Sequence, residues 1–311
     1  MRIVALLLVI AACGGGGGGS RGLTPGEGRV EVEGGRVWYR IVGSGARTPL
    51  VVLHGGPGVP SDYLKPLSAL ADERPVVFYD QLGAGRSDHP TDTRLWRVER
   101  FVDELARVRQ ALGVREVHLY GHSWGTMLAV DYMLTRPQGV RSLVLAGPAF
   151  SALRYKRDDD SLRATLPESV RSTLTRHERA GTCDAPEYQA AMGEYYRRFF
   201  ARRLPWSADL DSTVTRIDPS SDRVMAGGCG KTTGPLMSYD RTARLREISV
   251  PALLAVGGYD PSTPAAARWY QTLLPGSELV VFDSSGHLPM HDEPERYVQV
   301  LRDFLRRVES R

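Results

Sequence analysis

Only three cysteines occur among 311 residues, at positions 13, 183 and 229, far too few for a small fold held together by disulfides. No stretch recurs at the fixed period of a solenoid, which removes stacked-repeat architectures. The apolar run near the start, residues 3–10, falls well short of the roughly 20 residues that a bilayer-spanning helix needs. Charge of one sign is not in large excess either: 40 Lys and Arg stand against 36 Asp and Glu, a formal net charge of +4. The basic residues are almost all Arg and are scattered among the acids, so a nucleic-acid partner is not expected. What is present is apolar material, 42% of the chain, enough for one large α/β domain or a domain carrying an insertion.

The first residues form a separate segment. A thin basic start, an apolar run and the small residues Ile10-Ala11-Ala12-Cys13 have the layout of a secretory leader over residues 1–12. The last four resemble the lipobox of bacterial lipoproteins, in which cleavage exposes the cysteine and a lipid is attached to it. On that reading Cys13 anchors the protein outside the cytoplasm, and residues 13–26, with six consecutive glycines, are a flexible tether. An ordinary secretory signal cut elsewhere, or a wrongly assigned start codon, are the alternatives. With Cys13 lipidated, Cys183 and Cys229 remain as an even pair. A disulfide between them and two separate buried thiols both stay open.

From residue 28 the chain alternates with period two on either side of Gly34-Gly35, a hairpin pattern. Apolar runs of a different kind follow, continuous rather than alternating: Leu50–Leu53, Val76–Tyr79, 117–120, 143–146, 252–256 and 279–282. Continuous runs are what strands of a parallel sheet buried on both faces require. Helix-like stretches over 95–112, 126–136, 264–274 and 294–308 lie between or after them. The pattern predicts a mostly parallel, doubly wound α/β sheet, with a core over 27–149 and 241–311. Residues 150–240, rich in Arg, Asp and Tyr and with helical periodicity only around 188–200, break the rhythm and read as a helical cap inserted between two strands.

Gly121-His122-Ser123-Trp124-Gly125 matches Gly-X-Ser-X-Gly, and it follows a buried-strand run and precedes a good helix, the setting of a nucleophile elbow. A serine hydroxyl is a poor nucleophile without a base. Of the seven histidines, His287 alone combines a position after a late strand with the order Ser, Asp, His that α/β-hydrolases share. Asp260, at the end of Gly-Gly-Tyr-Asp, is the acid that orients the base. His54-Gly55-Gly56-Pro57-Gly58 follows the 50–53 strand, where an oxyanion hole is built in esterases; the N–H of Gly56, or of Gly55, is one expected donor and that of Trp124 the other. His287 and His291 are four apart, but Pro289 lies between them and no third ligand pattern surrounds them, so no metal is expected. Gly227-Gly-Cys-Gly-Lys-Thr ends like a phosphate-binding loop, yet the first glycine of that motif would fall at Met225 and no apolar strand precedes it.

With these pieces in place, the chain resembles the proline iminopeptidase family. The resemblance rests on His54-Gly-Gly-Pro-Gly, Tyr79-Asp-Gln-Leu-Gly-Ala-Gly-Arg-Ser, Gly121-His-Ser-Trp-Gly, Gly258-Tyr-Asp and Gly286-His287. It implies release of an N-terminal residue, typically proline, from peptides, with no cofactor, and assigns Asp80 and Gln81 to bracing the loop beside the site. It also implies acidic cap side chains that hold the substrate's free amine. Met237 stands where one such acid is expected, so Glu194, Asp209 or Asp211 would have to supply it, with Gly55 also at the substrate. Without an amine anchor the same triad would act on a small acyl substrate: an ester, amide or lactone.

Overall fold

The computed structural model describes residues 23–229 and 234–311. The expected leader, Cys13 and the six glycines after it lie outside the described residues, as does Lys231 of the Gly-Lys-Thr stretch.

Strand β1 (Gly26–Val32) pairs antiparallel with β2 (Gly35–Val42), which sets the two inward valines, Val30 and Val37, opposite each other. Leu23, ahead of β1, already packs against the core. Next come β3 (Leu50–Leu53), β4 (Val76–Tyr79), α1 (Val98–Ala111), β5 (Val117–His122), α2 (Trp124–Leu134) and β6 (Val140–Ala146). After an insertion, β7 (Ala252–Gly257) resumes the sheet, which is completed by β8 (Ser277–Phe282). The eight strands lie in the order β1-β2-β4-β3-β5-β6-β7-β8, antiparallel up to β4 and parallel from there.

The continuous apolar runs are explained by what covers them. Val51, Leu53, Val77, Tyr79 and Leu119 point into one core with Phe101 and Leu105 of α1 and Leu128 of α2. The alternate residues Leu50, Val52, Val76, Phe78 and Tyr120 point into a second core on the other face. That second core is closed by a 3-10 helix over Ser61–Leu70 and by the last helix of the chain. Both faces are buried, so both register positions favour apolar residues, and a polar residue that does occur finds a partner, as His118 of β5 does in Ser142 of β6 at 2.7 Å.

The insertion carries α3 (Ala152–Arg163), α4 (Glu168–Ala180), α5 (Pro186–Phe199), α6 (Ala208–Val214) and α7 (Pro219–Met225). Its two ends are clamped together: Ala152 N–H donates to the Tyr239 carbonyl at 2.8 Å and Arg241 N–H to the Phe150 carbonyl at 2.9 Å. It has a small core of its own, built around Leu166, Leu174, Tyr188, Met192 and Tyr195. A disulfide joins Cys183, between α4 and α5, to Cys229, just after α7. The chain then ends with α8 (Pro264–Leu273), the short α9 (Pro289–Asp292) and α10 (Pro294–Glu309).

Candidate active site

Ser123 sits between β5 and α2 with φ 53° and ψ −119°, a left-handed conformation that costs a non-glycine residue about 1–3 kcal/mol. The flanking glycines make the turn feasible: a Cβ on Gly121 would lie 2.3 Å from the Gly125 carbonyl oxygen, and one on Gly125 would lie 2.2 Å from that of Leu53. Both obstacles are backbone, which leaves no cheap relief. The turn is fastened by Ser123 N–H donating to Ala146 and by Thr126 N–H and Oγ1 donating to the Ser123 carbonyl.

Asp260 follows β7 and His287 follows β8, each at the carboxyl end of its strand. The two are buried, and Nδ1 of His287 donates to Oδ1 of Asp260 at 2.7 Å. The same carboxylate oxygen accepts from Ser262 N–H at 2.7 Å, which fixes the acid in place. A carboxylate is an acceptor, so the proton of the neutral imidazole lies on Nδ1 and Nε2 is left to take a proton from a hydroxyl. Ser123 and His287 line one cavity.

Trp124 opens α2, so its N–H is among those that a helix leaves without an intrahelical partner. The loop after β3 resolves which glycine accompanies it. Gly55 N–H is already engaged, donating to the Tyr63 hydroxyl at 2.7 Å, whereas Gly56 N–H has no partner among the described residues and Gly56 lines the cavity beside Ser123. Gly55 also borders the cavity, but it has no main-chain donor to offer a substrate. Tyr63 in turn donates to Nδ1 of His122 at 2.8 Å, and Nε2 of His122 donates to the His287 carbonyl at 2.9 Å. Burial, reinforced by the neighbouring His287 ring, holds the His122 imidazole well below its ordinary range. It is therefore a neutral strut between the oxyanion loop and the loop of the base.

Asp80 and Gln81 are bracing residues as well. Asp80 is buried and accepts from Ser61 N–H and Oγ and from Arg86 N–H. Gln81 donates to the His54 carbonyl at 3.2 Å and accepts from the Trp124 indole at 2.8 Å, tying the two sides of the oxyanion site together.

The cap closes over these residues and brings in acids that no sequence pattern singled out. Asp159, Glu178 and Asp222 line the cavity with Ser123. Asp159 pairs with Arg163 at 2.9 Å and accepts from the Tyr195 hydroxyl, and Glu178 pairs with the same Arg163 at 2.7 Å. The Asp222 carboxylate has neither an ion pair nor a hydrogen bond among the described residues. Burial pushes it above the usual carboxylate range, only partly offset by Arg223. Met237, in the place expected for an acid, forms part of the apolar wall instead. Glu194 does not take over that role: Arg198 at 2.6 Å and Arg197 at 3.0 Å capture its carboxylate, and it lines no part of the cavity. Asp209 pairs with Lys65 on the outside, and Asp211 is exposed.

Comparison with known proteins agrees with this geometry. The family model of the alpha/beta hydrolase fold matches residues 48–294. A proline iminopeptidase of Heyndrickxia coagulans is 43% identical over 90% of this chain and 98% of its own. Among solved structures, VinJ is 36% identical with a TM-score of 0.87, covering 92% of this chain and all (100%) of its own. The proline iminopeptidase of Mycobacterium smegmatis is 32% identical with a TM-score of 0.83, covering 91% and 98%. With its elbow serine, its Asp-His pair and its acid-lined cap, this chain belongs to the proline iminopeptidase family of α/β-hydrolases.

Proposed function

We propose that the protein is a serine aminopeptidase that releases an N-terminal residue, proline foremost, from peptides through an acyl-enzyme on Ser123. His287 Nε2 takes the serine proton as Oγ attacks the first peptide carbonyl, and Asp260 stabilises the imidazolium that forms. The N–H groups of Gly56 and Trp124 receive the oxyanion. The imidazolium gives its proton to the departing nitrogen, and water, activated by the same base, then releases the residue.

The observation that carries this reading is the carboxylate of Asp222, which shares the cavity with Ser123 and has no partner among the described residues. A half-buried acid raised by burial gains most from a cation that enters with the substrate, which an N-terminal ammonium is. Hydrolysis of a proline arylamide by the full chain, compared with its N-acetylated form and with a Ser123→Ala variant, tests it. Cleavage of the free amine alone, lost on Ser123→Ala, is the expected result. Equal cleavage of the acetylated compound, or of short acyl esters in its place, would move the protein to the ester and amide hydrolases.

We also propose that Cys13 is a lipid-attachment site and that the protein works on the outer side of a bacterial membrane. The lipobox-like Ile10-Ala11-Ala12-Cys13 supports this, and the Cys183–Cys229 disulfide suits an oxidising compartment. Fatty-acid labelling that is equal in wild type and Cys13→Ala would refute the anchor.

A further inference from the structure

Ser123 lies where two lobes of unlike chemistry meet. One, about 430 Å³, is walled by charged groups, the cap acids Asp159 and Glu178 with Arg163, which pairs with both, and Lys156; Asp222 borders both lobes. The other, about 480 Å³, is walled mainly by Val59, Phe200, Trp206, Leu210, Val214 and Ile217. No Lys or Arg lines this second lobe among the described residues. Val214 and Ile217 leave 47% and 43% of their surface exposed at its rim, apolar area left uncovered by the described residues. His287 borders the second lobe and not the first.

That asymmetry assigns the lobes. Once Oγ of Ser123 has bonded to the carbonyl carbon, the C–N bond breaks only as the leaving nitrogen receives the proton held on Nε2 of His287. The nitrogen must therefore be within reach of His287, and the chain attached to it continues on that side. The other substituent of the carbonyl carbon carries the ammonium and belongs towards the acids of the first lobe, with Asp222 at the junction of the two. We infer that the apolar lobe is the binding site for the departing part of the substrate, and that the protein selects peptides whose second residue carries a bulky apolar side chain. This rests on the aminopeptidase reading given above. It adds a second determinant of specificity, on the opposite side of the scissile bond from the amine.

The test is kcat/KM of the full chain for Pro-Leu-NH2, Pro-Phe-NH2, Pro-Ser-NH2 and Pro-Asp-NH2, in wild type and in Ile217→Ser. Wild type is expected to favour Leu and Phe over Ser by on the order of 10-fold to 100-fold, with Asp lower still. In Ile217→Ser, whose side chain is partly exposed and tolerant of change, the Leu-to-Ser ratio is expected to shrink several-fold. Cleavage of all four within about twofold would overturn the lobe assignment and leave the aminopeptidase reading intact. No cleavage of any of them, together with turnover of an acyl ester, would overturn both.

Discussion

The main-chain N–H of His287 donates to the carbonyl of Phe199 at 2.8 Å, so the loop that carries the base is hydrogen-bonded to the end of a cap helix. Leu288 N–H repeats the contact on the Phe200 carbonyl at 2.8 Å, and the Phe200 ring lies 4.9 Å from the imidazole. The cap is thus part of the support of the triad as well as a cover for the substrate.

A methyl group placed in this seam should show the coupling. A Cβ on Gly286 would stand 2.6 Å from the Phe199 carbonyl oxygen, and the collision is with backbone. Gly286→Ala is expected to lower kcat by about 100-fold, with a smaller change in KM, because a displacement of about 1 Å at the base is enough for such a loss. Steady-state kinetics beside a melting curve checks it, and an unchanged kcat would show that the seam yields without moving His287.

Removing the carboxylate proposed to receive the amine should act on binding. Asp222→Asn is expected to raise KM for a proline arylamide by about 10-fold to 100-fold, the loss of one charge-assisted contact, and to leave hydrolysis of an uncharged acyl ester within about twofold. A parallel loss on both substrates would place Asp222 in the fold rather than at the amine.

Tyr63 joins Gly55 N–H to His122 Nδ1, both buried. Tyr63→Phe strands a donor and an acceptor at once, so a loss of about 2–4 kcal/mol in unfolding free energy is expected from urea denaturation, with a fall in kcat as the oxyanion loop loosens. A change below about 0.5 kcal/mol would mean that water replaces the hydroxyl at little cost.

Acid sensitivity has an identifiable source at the far end of the sheet. Burial, helped by Arg74, holds the His118 imidazole at about 4 against an ordinary 6.5. The unfolded chain therefore binds the proton first. Stability from the neutral ring is complete above pH 6.5 and is lost as the pH falls towards 4, a swing of about 3 kcal/mol. Burial raises the adjoining Glu309 carboxyl, but hydrogen bonds from Arg74 and Arg47 outweigh it and hold the group at about 2, so it stays charged through that window. Melting temperatures from pH 7 to pH 4 should fall less steeply in His118→Gln than in wild type, and parallel curves would assign the acid response elsewhere.

Local chemistry in the chain announces the sheet and the elbow because each is specified locally. A four-residue run such as 50–53 is apolar at every position only where both faces are covered, and Ser123 needs glycines two residues to either side for steric reasons that the sequence states directly. Other parts are silent. The 3-10 helix over Ser61–Leu70 buries Ser61, Leu64, Leu67 and Leu70 at a spacing of three, but Pro66 in its middle argues against a helix in the sequence. Helix α3 buries only Ala152 and Asp158 and shows no apolar stripe. Asp222 lies on a seven-residue helix, and only the folding of the whole cap carries it to Ser123, 99 positions earlier in the chain. Glu194 could have been set aside from sequence, since arginines three and four residues on are the partners that a helix offers it.

The Cys183–Cys229 disulfide fastens the stretch just after α7, the helix of Asp222, to the junction of α4 and α5. Both cysteines lie in the insertion, and neither belongs to the triad or the sheet. Without that bond the helix of Asp222 is held by noncovalent contacts alone, and the acid it carries is set less firmly in the cavity wall. The redox conditions under which the protein is prepared therefore bear on how the cap presents Asp222 to a substrate.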